Sequence, residues 1–325
     1  MIPNGSAWAS LSCALLAFVM VEADAQDARD WLARMNRAVE ELNYEGTFVH
    51  VRGNYSETLH IIHRNHNGRI SERLVSRDGA GREFIREEDV VKVILPEERL
   101  VVIESRKEEG RLASVLPSYC AELEPHYEFS LGRGTRVANR PVNVVSIKPK
   151  DEYRYGYTLY LDRETAMPLK SLLLNERGEV IEQIVFTQIQ ISDFIPASAL
   201  HPAIDTEGFQ FLEPEAPETE EAPIEAPEWR ASMLPPGFRL SAATRSAIAG
   251  SEYPVSHLVY SDCLATVSVF IEDPKTSADV AEGFSSAGST NAYSTKVNGR
   301  SATVIGEVPR QTVRSIALSL SLTAE

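Results

Sequence analysis

The chain has 325 residues, of which 43% are hydrophobic and 24% charged, long enough for two ordinary domains with cores of their own, and its formal net charge is −15. That charge is unevenly placed: residues 205–228 hold nine acids and no base, residues 26–204 hold 28 acids against 24 bases, and residues 229–325 hold eight of each sign. Both prospective domains are close to neutral, which excludes a basic footprint for nucleic acid.

At the N-terminus an apolar run, Leu11 to Val21, precedes Ala23-Asp24-Ala25, an A-x-A cleavage pattern, although no Lys or Arg stands before it. A membrane anchor is the competing assignment. The run falls short of the ~20 residues a spanning helix needs, and a helix start follows at once. Residues 1–25 are therefore expected to be a cleaved signal peptide, and the mature protein to be exported and soluble, in the periplasm of a Gram-negative source.

From Asp27 to Asn43 the apolar residues Ala28, Trp31, Leu32, Met35, Val39 and Leu42 recur at helical spacing, with Asp27 as a suitable N-cap. An amphipathic helix needs a surface to cover, and strand-like runs follow immediately. They occupy 46–52, 57–64, 70–76, 82–86, 89–95 and 99–104, parted by turn clusters such as Asn65-His66-Asn67-Gly68. After an irregular stretch with Pro117 and Pro125 they resume at 127–131, 135–138, 142–148, 154–161, 168–175 and 179–191. Gly132-Arg133-Gly134 reads as a turn between two of these runs.

About a dozen short strands with short connections imply an antiparallel meander that curls. The expected fold class is α+β: a half-open antiparallel barrel with a covering helix over residues 26–204, able to take an apolar ligand in its mouth. Trp31, Met35, Phe48, Phe84, Phe129, Leu173 and Phe186 are the candidates for lining that hollow. Ordinary core packing is the competing assignment for each. Tyr153, Tyr155 and Tyr157 alternate along one run and share a face, either half-exposed or offered to a ligand or partner.

Residues 205–228 form the expected linker. Its segment Glu213 to Glu228 is built of Glu, Ala and Pro with Ile224 as the one bulky aliphatic, too little apolar surface to offset the entropy of ordering it. As a polyproline-like strap at ~3.1 Å per residue, it could hold two bodies up to ~50 Å apart.

Residues 229–325 read as a smaller α+β domain. Strands are expected at His257–Ser261 and Leu264–Glu272, a helix at 277–284, and a hairpin about Asn298-Gly299 joining 293–297 to 301–308. A closing helix, Arg310–Leu320, follows Pro309. An open sheet edge here could accept an extended peptide as an added strand. Cys120 and Cys263 fall one in each body. An oxidising compartment permits a bridge, but a single pair across two domains is no disulfide framework, so the two are expected to be unpaired or incidental.

The catalytic signatures G-x-S-x-G, H-E-x-x-H, C-x-x-C and the P-loop are absent from the sequence, so no enzyme, cofactor or metal is expected. His60, His63 and His66 come nearest to a metal set. Residues three apart on a strand point to opposite faces, so they should not converge.

The D-W-L-x-R-M-x-x-A helix at Asp30 to Ala38, Y-E-G-T-F-V-H at Tyr44 to His50, and H-x-V-Y-S-D-x-L-A-T-V-S-V-F-I-E at His257 to Glu272 resemble the MucB/RseB family. The resemblance spans nearly the whole mature chain, and the acidic strap looks like its variable part. It implies a first domain similar to the lipoprotein carriers LolA and LppX, suited to acyl chains. It also implies a periplasmic negative regulator of an envelope-stress sigma factor. Such a protein binds the periplasmic part of a MucA/RseA-like anti-sigma factor, shields it from site-1 proteolysis, and releases it on binding lipid or lipopolysaccharide. Arg239, Tyr260, Phe270 and Arg300 are candidate partner anchors, chosen because Arg and aromatic residues dominate binding hot spots. Self-association is left open. The rival assignments are a periplasmic lipid or lipoprotein carrier and, more remotely, a hydrolase with an unrecognised site.

Overall fold

The computed structural model describes residues 9–105, 116–213, 224, 226–246, 255–272 and 281–323. Helix α1 runs from Ala9 to Glu41, so the amphipathic helix is continuous with the apolar leader. No helix among the described residues is long and apolar enough to cross a membrane. Ala28, Leu32, Met35 and Val39 are all buried, and α1 packs chiefly on strands β7 (Tyr127–Val137) and β8 (Arg140–Pro149).

Twelve strands form one sheet. The first six are β1 (Asn43–Arg52), β2 (Tyr55–His66), β3 (Arg69–Ser76), β4 (Glu83–Glu87), β5 (Val90–Leu95) and β6 (Leu100–Ser105). Beyond β7 and β8 come β9 (Gly156–Asp162), β10 (Pro168–Leu174), β11 (Val180–Ser192) and β12 (Gln210–Leu212). The order is β12-β6-β5-β4-β3-β2-β1-β11-β10-β9-β8-β7, a sheet that does not close on itself. Every pairing is antiparallel except that of β12 with β6. The two runs expected at 127–131 and 135–138 are one strand, and Gly132-Arg133-Gly134 is an irregularity within β7 rather than a turn.

The main core joins α1 to residues of β1, β2, β7, β8, β9 and β11. With Leu169 of β10, these strands are consecutive neighbours in the sheet, from β2 to the β7 edge, and among the described residues of the other half only Leu74 of β3 reaches the cluster. On the other face, Ile62 packs with Ile195 and Leu200, and Ile85, Ile94 and Val101 pack with Ile204 and Phe209. Residues 195–209 therefore cover the back of the sheet and lead into β12. The strap is shorter than expected at both ends. Asp205 to Leu212 belong to the first body, while the Ile224 amide donates to the Ala243 carbonyl at 2.9 Å and its side chain packs on the second core. Residues 214–223, and Glu225, lie outside the described residues.

The second body has a six-stranded sheet in the order β14-β15-β16-β19-β18-β17. These are β14 (Arg239–Ser246), β15 (Val255–Ser261), β16 (Thr266–Ile271), β17 (Gly283–Ala287), β18 (Thr290–Val297) and β19 (Arg300–Gly306). Helix α2 (Arg310–Leu318) lies on β18 and β19, and β13 (Trp229–Ala231) pairs with β20 (Leu320–Leu322). Asn298 and Gly299, at φ 49° and 77°, make the expected tight hairpin between β18 and β19. Of the helix expected at 277–284, residues 277–280 lie outside the described residues and Gly283 opens β17 instead.

Candidate functional site at the seam between the two bodies

The two bodies are docked, and the contact begins with a buried charge. Asp151 Oδ1 accepts the Tyr153 amide and Arg154 Nε, both at 3.0 Å, which fixes the turn before β9 and aims Arg154 at the second body. Asp262, between β15 and β16, uses Oδ1 to accept the amides of Leu264 and Ala265 at 3.0 and 2.7 Å. Its Oδ2 accepts Arg154 Nη1 at 2.5 Å and the Tyr127 hydroxyl at 3.0 Å. Arg154 Nη2 donates to the Pro236 carbonyl at 2.5 Å, and the guanidinium lies 5.3 Å from the ring centres of Tyr127 and Phe238. Desolvating such a pair costs several kcal/mol per ion, and only complete pairing of this kind offsets it. Burial, with the Asp262 charge beside it, holds the Tyr127 phenol well above its ordinary range.

The residue after Asp262 carries a covalent tie. Cys120 and Cys263 form a disulfide, with Cα atoms 6.5 Å apart and a sequence separation of 143, contrary to the expectation that they are unpaired. Docking supplies the reason, because it brings distant chain segments within disulfide reach. It also corrects the picture of two bodies held far apart on a strap.

At the other end of the seam the inner face of the first sheet meets the β17–β18 turn. Glu182 of β11 accepts His50 Nε2 at 2.7 Å and Arg52 Nε at 2.9 Å, both from β1. The Ser289 hydroxyl of the second body donates to Glu182 Oε2 at 2.7 Å and also touches Glu307 Oε1. Burial alone would push the Glu182 carboxyl up, but the bonds from His50, Ser289 and Arg52 outweigh it and bring it down to about 2. Burial and the neighbouring Glu182 charge raise Glu307. A hydroxyl has one proton to give, so the second short contact is satisfied when Glu307 carries a proton and donates to Ser289.

Between these ends Asn291 Nδ2 donates to the Tyr155 hydroxyl at 3.0 Å and to the Val308 carbonyl at 2.8 Å. Thr312 Oγ1 donates to the Tyr153 carbonyl at 2.7 Å, and Gln311 donates to the Glu152 carbonyl. A cavity of about 200 Å³ remains, lined by Tyr127, Tyr155, Tyr157, Leu264 and Glu307 among others. Tyr155 and Tyr157 thus belong to the first body's docking face, to which Tyr153 contributes its carbonyl. Burial raises Tyr155 to about 12.

Of the seven hollow-lining candidates, Met35, Phe48, Phe129 and Phe186 are buried in the main core, with Phe48 and Phe186 ring centres 5.3 Å apart. Trp31 is half-buried at its edge, under the Arg34 guanidinium. Leu173 is buried near Glu182 and Glu307 in the seam. Phe84 stands apart, half-buried on β4.

The four partner candidates do not converge. Tyr260 is a core residue, 3% exposed, whose hydroxyl accepts the Ala231 amide at 2.9 Å, so it offers no face to a partner. Phe270 is half-buried and stacks on His257 with centroids 4.4 Å apart. Arg300 lies over the Trp229 ring and pairs with Glu228. Arg239 is exposed in the seam beside Glu122 and Cys263.

The histidines diverge as expected. His63 is buried, with Nδ1 bonded to the Leu42 carbonyl at 2.9 Å, while His60 pairs with Glu45 and His66 is exposed. Cys120, Glu122 and Cys263 have their ligand atoms within 4.8 Å, but both sulfurs are spent in the disulfide.

Arg154, Asp262, Glu182, Glu307, Ser289 and Asn291 escaped sequence reasoning because each matters only across the seam. The available signals were two cysteines placed one per body in a chain that opens with an export-signal pattern, and Asp262 standing directly before one of them.

Comparison with known proteins agrees with this two-body construction. Residues 27–204 match the family described as MucB/RseB N-terminal domain, and residues 223–321 match MucB/RseB C-terminal domain. The sigma factor AlgU regulatory protein MucB of Pseudomonas aeruginosa is 35% identical over 301 residues, 91% of either chain. The sigma-E factor regulatory protein RseB of Haemophilus influenzae is 27% identical over 308 residues, 94% of this chain and 95% of that one. A solved complex of P. aeruginosa MucA and MucB includes a chain that superposes with a TM-score of 0.72 at 32% identity, covering 92% of this chain and 100% of that chain. The chain belongs to the MucB/RseB family.

Proposed function

We propose that this protein is a periplasmic negative regulator of an envelope-stress sigma factor, and that it acts by holding the periplasmic part of a MucA-like anti-sigma factor. The observation that carries the reading is the superposition on a chain of the MucA/MucB complex, in which one fit takes in 92% of this chain, both bodies together. Held in this way, the anti-sigma segment is shielded from site-1 proteolysis.

Lipid or lipopolysaccharide is the proposed release signal. The first body is then a half-barrel, with α1 filling one side and a second apolar strip left on the other. Ile61, Leu74, Phe84, Val93 and Val102 are successive cross-strand partners from β2 to β6 and so share the inner face. The last four are only half-buried, which makes them better acyl contacts than Met35 or Phe186, already packed by their own core. For lipid to weaken the partner tenfold, it must favour the partner-free state by about 1.4 kcal/mol.

The test is protection of a MucA-like periplasmic fragment from proteolysis by the mature protein, with and without lipopolysaccharide. Protection that lipopolysaccharide abolishes is expected. Failure to retain or protect the fragment, with lipid still bound, would replace this reading by that of a carrier.

A further inference from the structure

We propose that Cys263 is a thiol–disulfide exchange site, attacked by the dithiol of an exported reductant, and that its opening unlocks the two bodies. The inference stands apart from the anti-sigma reading, since it concerns the seam alone.

The two cysteines are unequally placed as residues. Cys263 is exposed in the β15–β16 turn, whereas Cys120 is half-buried. An attacking thiolate must approach one sulfur with the other as leaving group, so access selects Cys263. The backbone there is poised as well. Cys263 is a non-glycine residue at φ 82°, sparsely populated for an L side chain, held by the flanking Asp262 turn and the bridge itself.

Charge around the sulfur is also arranged. Arg239 Nη2 lies 4.0 Å from Cys263 Sγ and 3.4 Å from Glu122 Oε1. Alone, the Glu122 carboxylate would repel an incoming thiolate. The guanidinium screens it and draws the incoming thiolate to this side, and in the second step it steadies the Cys263 thiolate that is expelled. Among the described residues this disulfide is the one covalent cross-link over the seam, and the other side-chain ties are non-covalent: hydrogen bonds, ion pairs and the packing of Leu264 and Phe238.

The chemistry balances with a dithiol as reductant. Its first thiolate attacks Cys263 Sγ, the S–S bond breaks, and its electron pair leaves on Cys120 Sγ, which takes a proton from water. The reductant's second thiolate then attacks its own first sulfur and expels Cys263 as a thiolate. Two electrons pass from the dithiol, which departs as a disulfide. Cys263 takes up a proton or remains as the thiolate beside Arg239.

The experiment uses the full mature chain. Dithiothreitol is the reducing probe, and glutathione is used to trap the mixed disulfide, which peptide mass analysis then locates. Capture predominantly on Cys263 is expected. Arg239→Gln should slow reduction several-fold and Glu122→Gln should speed it. Hydrogen exchange in residues 152–157 and 289–293 should rise at least tenfold in the reduced protein, with both cores still protected. Capture mainly on Cys120, rates indifferent to both substitutions, unchanged exchange at the seam, or global unfolding on reduction would each overturn the proposal.

Discussion

Arg154 and Asp262 meet at 2.5 Å across the seam, and neither side chain has any solvent exposure. Each comes from a turn that its own body has already rigidified, so the pair joins two preformed pieces rather than creating either. A buried ion pair of this kind is retained for the geometry it enforces more readily than for net stability.

Removing one partner should therefore cost more than the pair is worth. Arg154→Met leaves the Asp262 carboxylate buried without its cation and is expected to destabilise by about 3–5 kcal/mol. Asp262→Asn should cost less, because Arg154 keeps the Asp151 carboxylate and the Pro236 carbonyl, and an amide oxygen can still accept the Leu264 and Ala265 amides. Urea denaturation of the three proteins would show the order, and equal losses would contradict it.

Two turn glycines of the second body press on the first. Gly237 at φ 87° has no room for a Cβ against the His126 ring, and Gly288 at φ 61° has none against the Arg52 side chain. Gly237→Ala combines left-handed strain with overpacking, for an expected loss of about 2–4 kcal/mol. Gly299→Ala, also at positive φ but with open space around it, should cost only about 1 kcal/mol. The difference between the two, measured by thermal unfolding, isolates the seam contact.

What the sequence discloses divides along the same line. Strands bounded by Asn67-Gly68 and Asn298-Gly299, and the helix face of Ala28, Leu32, Met35 and Val39, follow from local periodicity and turn chemistry, and they stand in the structure nearly residue for residue. β12, three residues at the head of the acidic strap, carries no periodic signal, and only pairing with distant β6 makes it a strand. The greasy residues were found, but periodicity cannot tell a side chain that fills the core, such as Phe186, from one left half-open, such as Phe84. Likewise the spacing of Tyr155 and Tyr157 discloses a shared face but not that the chain's own second body covers it.

That distinction between Phe84 and Phe186 can be tested. Phe84→Asp places a charge on the half-open strip and should reduce lipopolysaccharide-driven release at least tenfold, with little change in stability. Phe186→Ala empties a packed core position, 2% exposed, and should cost about 3–5 kcal/mol in urea denaturation. If Phe84→Asp releases its partner as readily as the parent protein, the strip is not the lipid face.

The carboxylates at Ser289 should give the seam a pH dependence of two opposite signs. Glu182 is held at about 2 against an ordinary 4.5, so the unfolded chain binds its proton more readily than the folded one. Its contribution is present above pH 4.5 and lost as pH falls through about 2. Glu182→Gln should thus cost on the order of 3 kcal/mol at pH 7, shrinking toward nothing near pH 2. Glu307 is raised instead, mainly by burial and then by Glu182, with Ser289, Arg52 and His50 opposing. Here the folded state binds the proton more readily, so the contribution is complete below the unfolded value of 4.5 and is lost as pH rises through the folded one. Glu307→Gln, which keeps a donor for Ser289 and carries no charge, should stabilise the protein at pH 7 to 8 and lose that advantage in acid. Urea denaturation of both variants at pH 3, 5, 7 and 8 reads the two slopes separately. Parallel rather than opposed slopes would mean that Ser289 does not hold the two carboxylates in different protonation states.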